Sequence, residues 1–116
     1  VFITTLDLKL ARIYPLAVWK HNQQICSTAG ENAAAAARLA FLAKVYGGDA
    51  EIDKAGRVLL PARLREALGL EKQPVWLDYY NEHIKVFTRQ VYEERMQLSV
   101  ATMGEDFRTL EKIGFK

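Results

Sequence analysis

The chain has 116 residues, half of them apolar and 26% charged, and its 16 Lys and Arg against 14 Asp and Glu leave a net charge of +2. This is ordinary globular composition, near the common single-domain size, so a disordered chain is excluded and one compact unit is expected. Apolar runs stop well short of the ~18 residues a membrane helix needs, no signal-peptide pattern opens the chain, and the single Cys26 fits a reducing cytoplasm.

Val1–Leu6 is β-branched and aromatic, and Lys9–Tyr14 follows after a polar break at Asp7, so the two predict a hairpin. A chain that opens directly on a strand, without a leading turn, is expected to begin further upstream. Pro15 suits the first position of a helix that carries Leu16, Trp19 and Gln23 on one face and ends near Cys26–Gly30. Ala33–Ala37 opens a second helix. Its Ala35, Leu39, Leu42 and Tyr46 have the 4-3-4 spacing of a buried stripe, and Gly47-Gly48 is expected to stop it with a left-handed cap.

Ala50–Asp53 alternates as a half-buried strand does, and Arg57–Leu60 reads as the strand that returns from a turn at Lys54-Ala55-Gly56. Asp53 and Gly56 take the first and fourth turn positions, where those residue types are favoured. After Pro61 a short helix, Ala62–Leu68, ends at Gly69. Val75–Tyr80 and His83–Phe87 predict a second hairpin around Asn81-Glu82. Thr88 caps a helix to about Leu98, and Asp106–Ile113 is a last short helix stopped by Gly114.

The two hairpin-plus-helix segments align with each other. Val1-Phe2-Ile3 falls on Val75-Trp76-Leu77 at an offset of 74, and Ala11–Tyr14 falls on Ile84–Phe87 at an offset of 73, with Trp19 opposite Tyr92. An ordered series of this kind predicts a duplicated unit. The element preceding the second copy, Asp53–Leu70, has no counterpart before Val1, and a sheet lacking it would have open edges.

Candidate chemistry concentrates at one place. Between Lys54 and Arg65 stand four basic residues and no acid, and the glycine turn puts Lys54 and Arg57 at the tip of a narrow β-ribbon able to enter a major groove. Arg57 can pair bidentately with guanine or phosphate, while Lys54, Arg63 and Arg65 suit phosphate contacts. By charge alone the segment also reads as a solvated turn and an amphipathic helix.

Elsewhere the bland readings prevail. His21 and Cys26 are a helical surface pair, His83 is expected to be solvated beside its turn, and Asp49, Glu51 and Asp53 are outer-face carboxylates rather than a metal site. Trp19, Val91, Tyr92 and Met96 are packing residues. Part of the apolar helix surface, including Phe41 and Tyr46, could serve neighbouring subunits. No glycine-rich phosphate loop, G-x-S-x-G or CxxC pattern is present, and no enzyme is expected.

The stretch from Tyr46 through Asp53-Lys54-Ala55-Gly56-Arg57 and Pro61 to Leu64-Arg65 resembles the second repeat of MraZ proteins, in the SpoVT/AbrB-like swapped-hairpin superfamily. Ile3–Asp7 and Ile13–Trp19 are similar to the later part of that family's first repeat. The resemblance covers nearly the whole chain, least distinctively at Ala33–Ala37 and the last dozen residues. It implies an α+β fold, a duplicated SpoVT/AbrB-like swapped-hairpin β-barrel with flanking helices, with the first hairpin missing from this chain. Residues 1–30 would be the remainder of the first repeat, 31–48 a linking helix, and 49–116 the second repeat with C-terminal helices.

The function implied is that of a bacterial regulator, repressor or activator, which binds short direct repeats in promoter DNA of the division and cell-wall gene cluster. Such proteins form ring-shaped homo-oligomers in the cytoplasm, at the nucleoid. In the family the D-x-x-G-R turn carries the DNA-contacting arginine, which Asp53, Gly56 and Arg57 match; Ala55 departs from the lysine or polar residue often found there. No cofactor, metal, membrane or small-molecule substrate is implied. A protomer with two or three phosphate contacts binds weakly alone, and a ring on repeated sites would offset this. Two alternatives are an AbrB-type antitoxin or transition-state regulator, against which the helical content of Ala33–Tyr46 and Thr88–Ile113 argues, and a ring-forming interaction module without DNA binding.

Overall fold

A computed structural model describes all residues, 1–116. Five antiparallel strands form one open sheet: β1 (Phe2–Thr4), β2 (Ala11–Tyr14), β3 (Gly48–Asp49), β4 (Trp76–Tyr80) and β5 (His83–Phe87), in the order β3-β1-β2-β5-β4. Five α-helices accompany it, α1 (Leu16–Ser27), α2 (Ala33–Tyr46), α3 (Ala62–Leu68), α4 (Arg89–Ala101) and α5 (Met103–Glu111), with a 3₁₀ turn at Gly30–Asn32. The α+β class is as expected. The sheet, however, ends in two free edges, β3 and β4, rather than closing into a barrel.

The two hairpins share one register. Phe2 faces Tyr14, Ile3 faces Ile13 and Thr4 faces Arg12; in the second hairpin Trp76 faces Phe87, Leu77 faces Val86 and Asp78 faces Lys85. They lie side by side through the antiparallel β2–β5 pair, which sets Arg12 opposite Lys85. Asn81 and Glu82 both take positive φ, as a two-residue hairpin turn matched to strand twist requires.

Alternation sorts the sheet into two faces. On one, Ile3, Ala11, Ile13 and Val86 form the core with Leu64 of α3 and with Leu70, flanked by Val58, Leu60 and Tyr46. On the other, Trp19 of α1 packs on Phe2 and Tyr14, with ring centroids 4.5 and 5.1 Å apart, and Tyr92 of α4 stacks on Trp76 at 5.1 Å. Thr88 Oγ1 accepts from the Val91 amide and caps α4.

Four local expectations are corrected. In α2 the buried stripe lies one residue on from Ala35, Leu39, Leu42 and Tyr46: Ala43 is the buried member, while Ala35, Leu39 and Leu42 are exposed. Small side chains win this face because α2 lies directly against β1, where Thr4 Oγ1 donates to the Ala43 carbonyl at 2.7 Å. Gly47 stops α2 in an extended conformation, φ −98° and ψ 174°, rather than a left-handed cap. Its glycine is needed for space, since a Cβ there would meet the Ala43 carbonyl, the Phe2 ring and Thr4 Oγ1.

The third correction is at Ala50–Asp53 and Arg57–Leu60, which make no strand ladder; regular pairing ends at Asp49. Arg57–Leu60 keeps a strand's alternation, Val58 and Leu60 inward and Leu59 out, but a ladder needs a second backbone alongside, and only the turn supplies one. Finally, His83 is buried, not solvated. Its ring stacks on Tyr14 at 4.7 Å, and Nε2 lies 3.3 Å from an Arg12 terminal nitrogen.

Candidate nucleic-acid interface

The turn predicted at Asp53–Gly56 forms from its own side chains. The Gly56 amide donates to the Asp53 carbonyl at 3.0 Å, and the Asp53 amide donates to the Arg57 carbonyl at 2.9 Å, closing a three-residue loop. Gly56 sits at φ +79°, the left-handed position such a loop requires and that glycine takes without steric cost. Asp53 Oδ1 accepts from the amides of Ala55 and Arg57, at 2.9 and 2.8 Å.

The same carboxylate orients the arginine. Asp53 Oδ2 accepts from Arg57 Nε at 2.9 Å. The two terminal nitrogens of the guanidinium make no bond within the protein, and the side chain is 82% exposed. A guanidinium gripped through Nε keeps its outer fork free for the O6 and N7 acceptors of guanine, or for a phosphate. The amide and side-chain bonds from Arg57 and the amide of Ala55 hold the Asp53 carboxyl below its usual range, so it stays ionised and keeps its grip near neutral pH.

The other basic residues divide. Lys54, beside Arg57 in the loop, and Arg63, on the first turn of α3, are exposed. Arg65 is not free: it is 28% exposed and pairs with Glu71 at 3.5 Å, with Nε buried. That pair ties α3 to the loop after it. Leu64, fully buried, anchors α3 to the sheet, and Val58 and Leu60 anchor the segment leading from the turn. The turn therefore projects from a fixed base.

A second concentration of charge, missed in the sequence, lies on the helix-covered face: Arg12, Lys85 and buried His83, with Asp7 paired to Arg12 at 3.6 Å. One sequence signal could have found it. Arg12 and Lys85 occupy matching positions of the two aligned hairpins, each between inward-facing apolar residues. No three His, Cys, Asp or Glu side chains come together to hold a metal ion, and no helix is long and apolar enough to cross a membrane.

Comparison with known proteins agrees with the resemblance. A profile of the family described as "MraZ protein, putative antitoxin-like" matches residues 48–109, from β3 into α5. A protein of Acidobacterium capsulatum named "Transcriptional regulator MraZ" is 34% identical over 97% of this chain and 76% of its own length. Proteins of the same name from Pseudoalteromonas atlantica and Idiomarina loihiensis are 32% and 30% identical, over 80% and 96% of this chain and 60% and 74% of their own lengths. No solved structure matches. With a family profile across the Asp53–Arg57 turn and relatives aligned along nearly its full length, this chain belongs to the MraZ family of transcriptional regulators.

Proposed function

We propose that this protein is a sequence-specific DNA-binding regulator that reads promoter direct repeats of the division and cell-wall gene cluster through the Asp53–Arg57 turn. The observation that carries this reading is the Arg57 guanidinium, held at Nε by Asp53 with its outer fork free and exposed. Arg57 makes the base contact. Lys54 and Arg63 neutralise phosphates, and Arg65 acts by holding α3 in place.

The protein works as a homo-oligomeric ring built from duplicated hairpin units, residues 1–30 and 49–116 being the two copies and 31–48 their link. The shared hairpin register and the matching aromatic pairs Phe2–Trp19 and Trp76–Tyr92 support the duplication. Surface area supports assembly: a compact monomer of 13.2 kDa exposes ~6,400 Å², whereas this chain exposes 8788 Å². Much of the excess is apolar, including Leu59, Leu77, Tyr79, Leu98 and Ile113.

The test is fluorescence anisotropy with a labelled promoter fragment at several salt concentrations. Affinity falls with salt, as phosphate neutralisation requires. Arg57→Ala weakens binding by roughly 5- to 150-fold for each turn engaged, the value of one bidentate pair, and Arg57→Lys does not restore it. Light scattering gives the same particle size for all three proteins. Unchanged affinity of Arg57→Ala overturns the assignment.

A further inference from the structure

Two apolar surfaces of this chain have no partner within it, and they match each other. The first is a groove of about 800 Å³ between α1 and α2. Leu16, Trp19 and Ile25 line it from α1, and Ala36, Leu39 and Ala40 from α2. No residue of α1 is buried, and Leu16, Ile25 and Leu39 are exposed. None of the polar side chains in the lining is buried, so nothing inside fixes the orientation of a small ligand. The short alanine side chains of α2 leave room for another helix to lie close, with its apolar face down in the groove.

The second surface is α5. Met103, Phe107 and Leu110 fall at i, i+4 and i+7 on one face, and they are 67%, 48% and 43% exposed. No residue of α5 is buried. A helix of nine residues draws little stability from propensity alone in water, so this bare apolar face needs a cover.

Charge fits the helix to the groove. Lys20 stands on the α1 wall and Lys44 on the α2 wall. With 3.6 residues per turn, Asp106 and Glu111 flank the apolar face of α5 on its two sides, while Lys112 falls on the opposite face. None of Lys20, Lys44, Asp106 and Glu111 forms an ion pair within the chain. Place decides which copy supplies the helix. Phe2 of β1 and Asp49 of β3 line the groove at one edge of the sheet, whereas α5 continues from α4, whose Tyr92 stacks on Trp76 of β4 at the other. Contact between the two surfaces is therefore head to tail between copies, the kind that closes into rings. The chain exposes roughly 2,400 Å² more than a compact monomer of its mass, enough for two standard patches of ~800 Å² each.

We propose that α5 of one copy docks in the α1–α2 groove of the next, with Met103, Phe107 and Leu110 in the groove and Asp106 and Glu111 against Lys20 and Lys44. This rests on the ring assembly given above and names the two faces that make it.

The experiment reads particle mass by light scattering across a dilution series of the full chain. In the same samples it reads the rate at which a maleimide alkylates Cys26, the single cysteine and part of the groove lining. Wild-type protein assembles, and alkylation slows roughly tenfold as it does. Phe107→Asp raises the concentration needed for assembly by roughly 30-fold or more, the value of one buried aromatic anchor, and returns Cys26 to the monomer's rate. Circular dichroism confirms that the variant is folded. Lys20→Glu with Lys44→Glu, all on the surface, weakens assembly by roughly 3- to 30-fold, and adding Asp106→Lys and Glu111→Lys restores it. Assembly indifferent to Phe107→Asp, Cys26 reactivity independent of protein concentration, or a fourfold variant no better than the double one overturns the docking and leaves the ring standing. A wild type that stays monomeric throughout overturns both.

Discussion

Gly47 is where α2 meets the sheet, and adding one methyl group there tests the packing directly. An alanine Cβ would lie 2.8 Å from both the Phe2 ring carbon Cζ and Thr4 Oγ1, and closer still to the Ala43 carbonyl. The backbone at φ −98° and ψ 174° accommodates any residue, so the cost is purely steric. Overpacking of this kind costs about 1–3 kcal/mol. Relief from the Ala43 carbonyl requires the last turn of α2 to distort, and relief from Phe2 and Thr4 requires it to move off β1; together these break the buried bond from Thr4 Oγ1 to the Ala43 carbonyl and add about 1–3 kcal/mol for groups left unsatisfied.

Gly47→Ala should therefore lose about 3 kcal/mol, a large share of the 5–15 kcal/mol typical of a domain. Neighbouring Gly48 is the control, because a Cβ there meets only Pro61 Cγ, at an ordinary 3.5 Å. Urea unfolding followed by circular dichroism should place Gly48→Ala within about 0.5 kcal/mol of wild type or slightly above it. A loss under about 1 kcal/mol for Gly47→Ala, or equal losses for the two variants, refutes the steric reasoning.

Leu64→Ala removes the side chain that fixes α3 to the sheet and should cost about 2–5 kcal/mol in the same assay; a neutral result would mean that α3 does not anchor the turn. The Asp53 carboxyl is held below its usual range by bonds from Arg57 and Ala55 that exist only when the turn is formed. Its contribution to the turn is thus fully present above the unfolded value near 4 and is lost as pH falls through the lower folded value. Carboxyl NMR titration should find Asp53 titrating below a freely exposed aspartate, and Arg57→Ala, which keeps the amide donors and removes only the side-chain bond, should move it part of the way back up; an unmoved titration would break the link between the two side chains.

Several features set by near neighbours were read correctly. The Asp53–Gly56 turn, α3 between Pro61 and Gly69, the β4–β5 hairpin around Asn81-Glu82 and the Thr88 cap all depend on residues within a few positions of one another. Family membership was legible for the same reason, since the turn residues and their spacing stand together in the chain. Less legible were features that need a distant neighbour. Periodicity along α2 identified a stripe but chose the wrong one, because hydrophobic size favoured Leu39 and Leu42 while close approach to β1 favoured Ala43 and Gly47.

The sequence by itself determined the Asp53–Gly56 turn, because an aspartate, a glycine and an arginine at these spacings make their own hydrogen bonds wherever the segment sits. Only the tertiary structure decided that Arg57 points outward with its fork free while Arg65 is tied down by Glu71. It alone revealed that His83 and Lys85 are buried and that Lys85 confronts Arg12. The physical reason is common to these cases: charge and burial depend on what lies across a strand pair or beneath a helix, and those neighbours stand up to 73 residues away along the chain, as Arg12 does from Lys85.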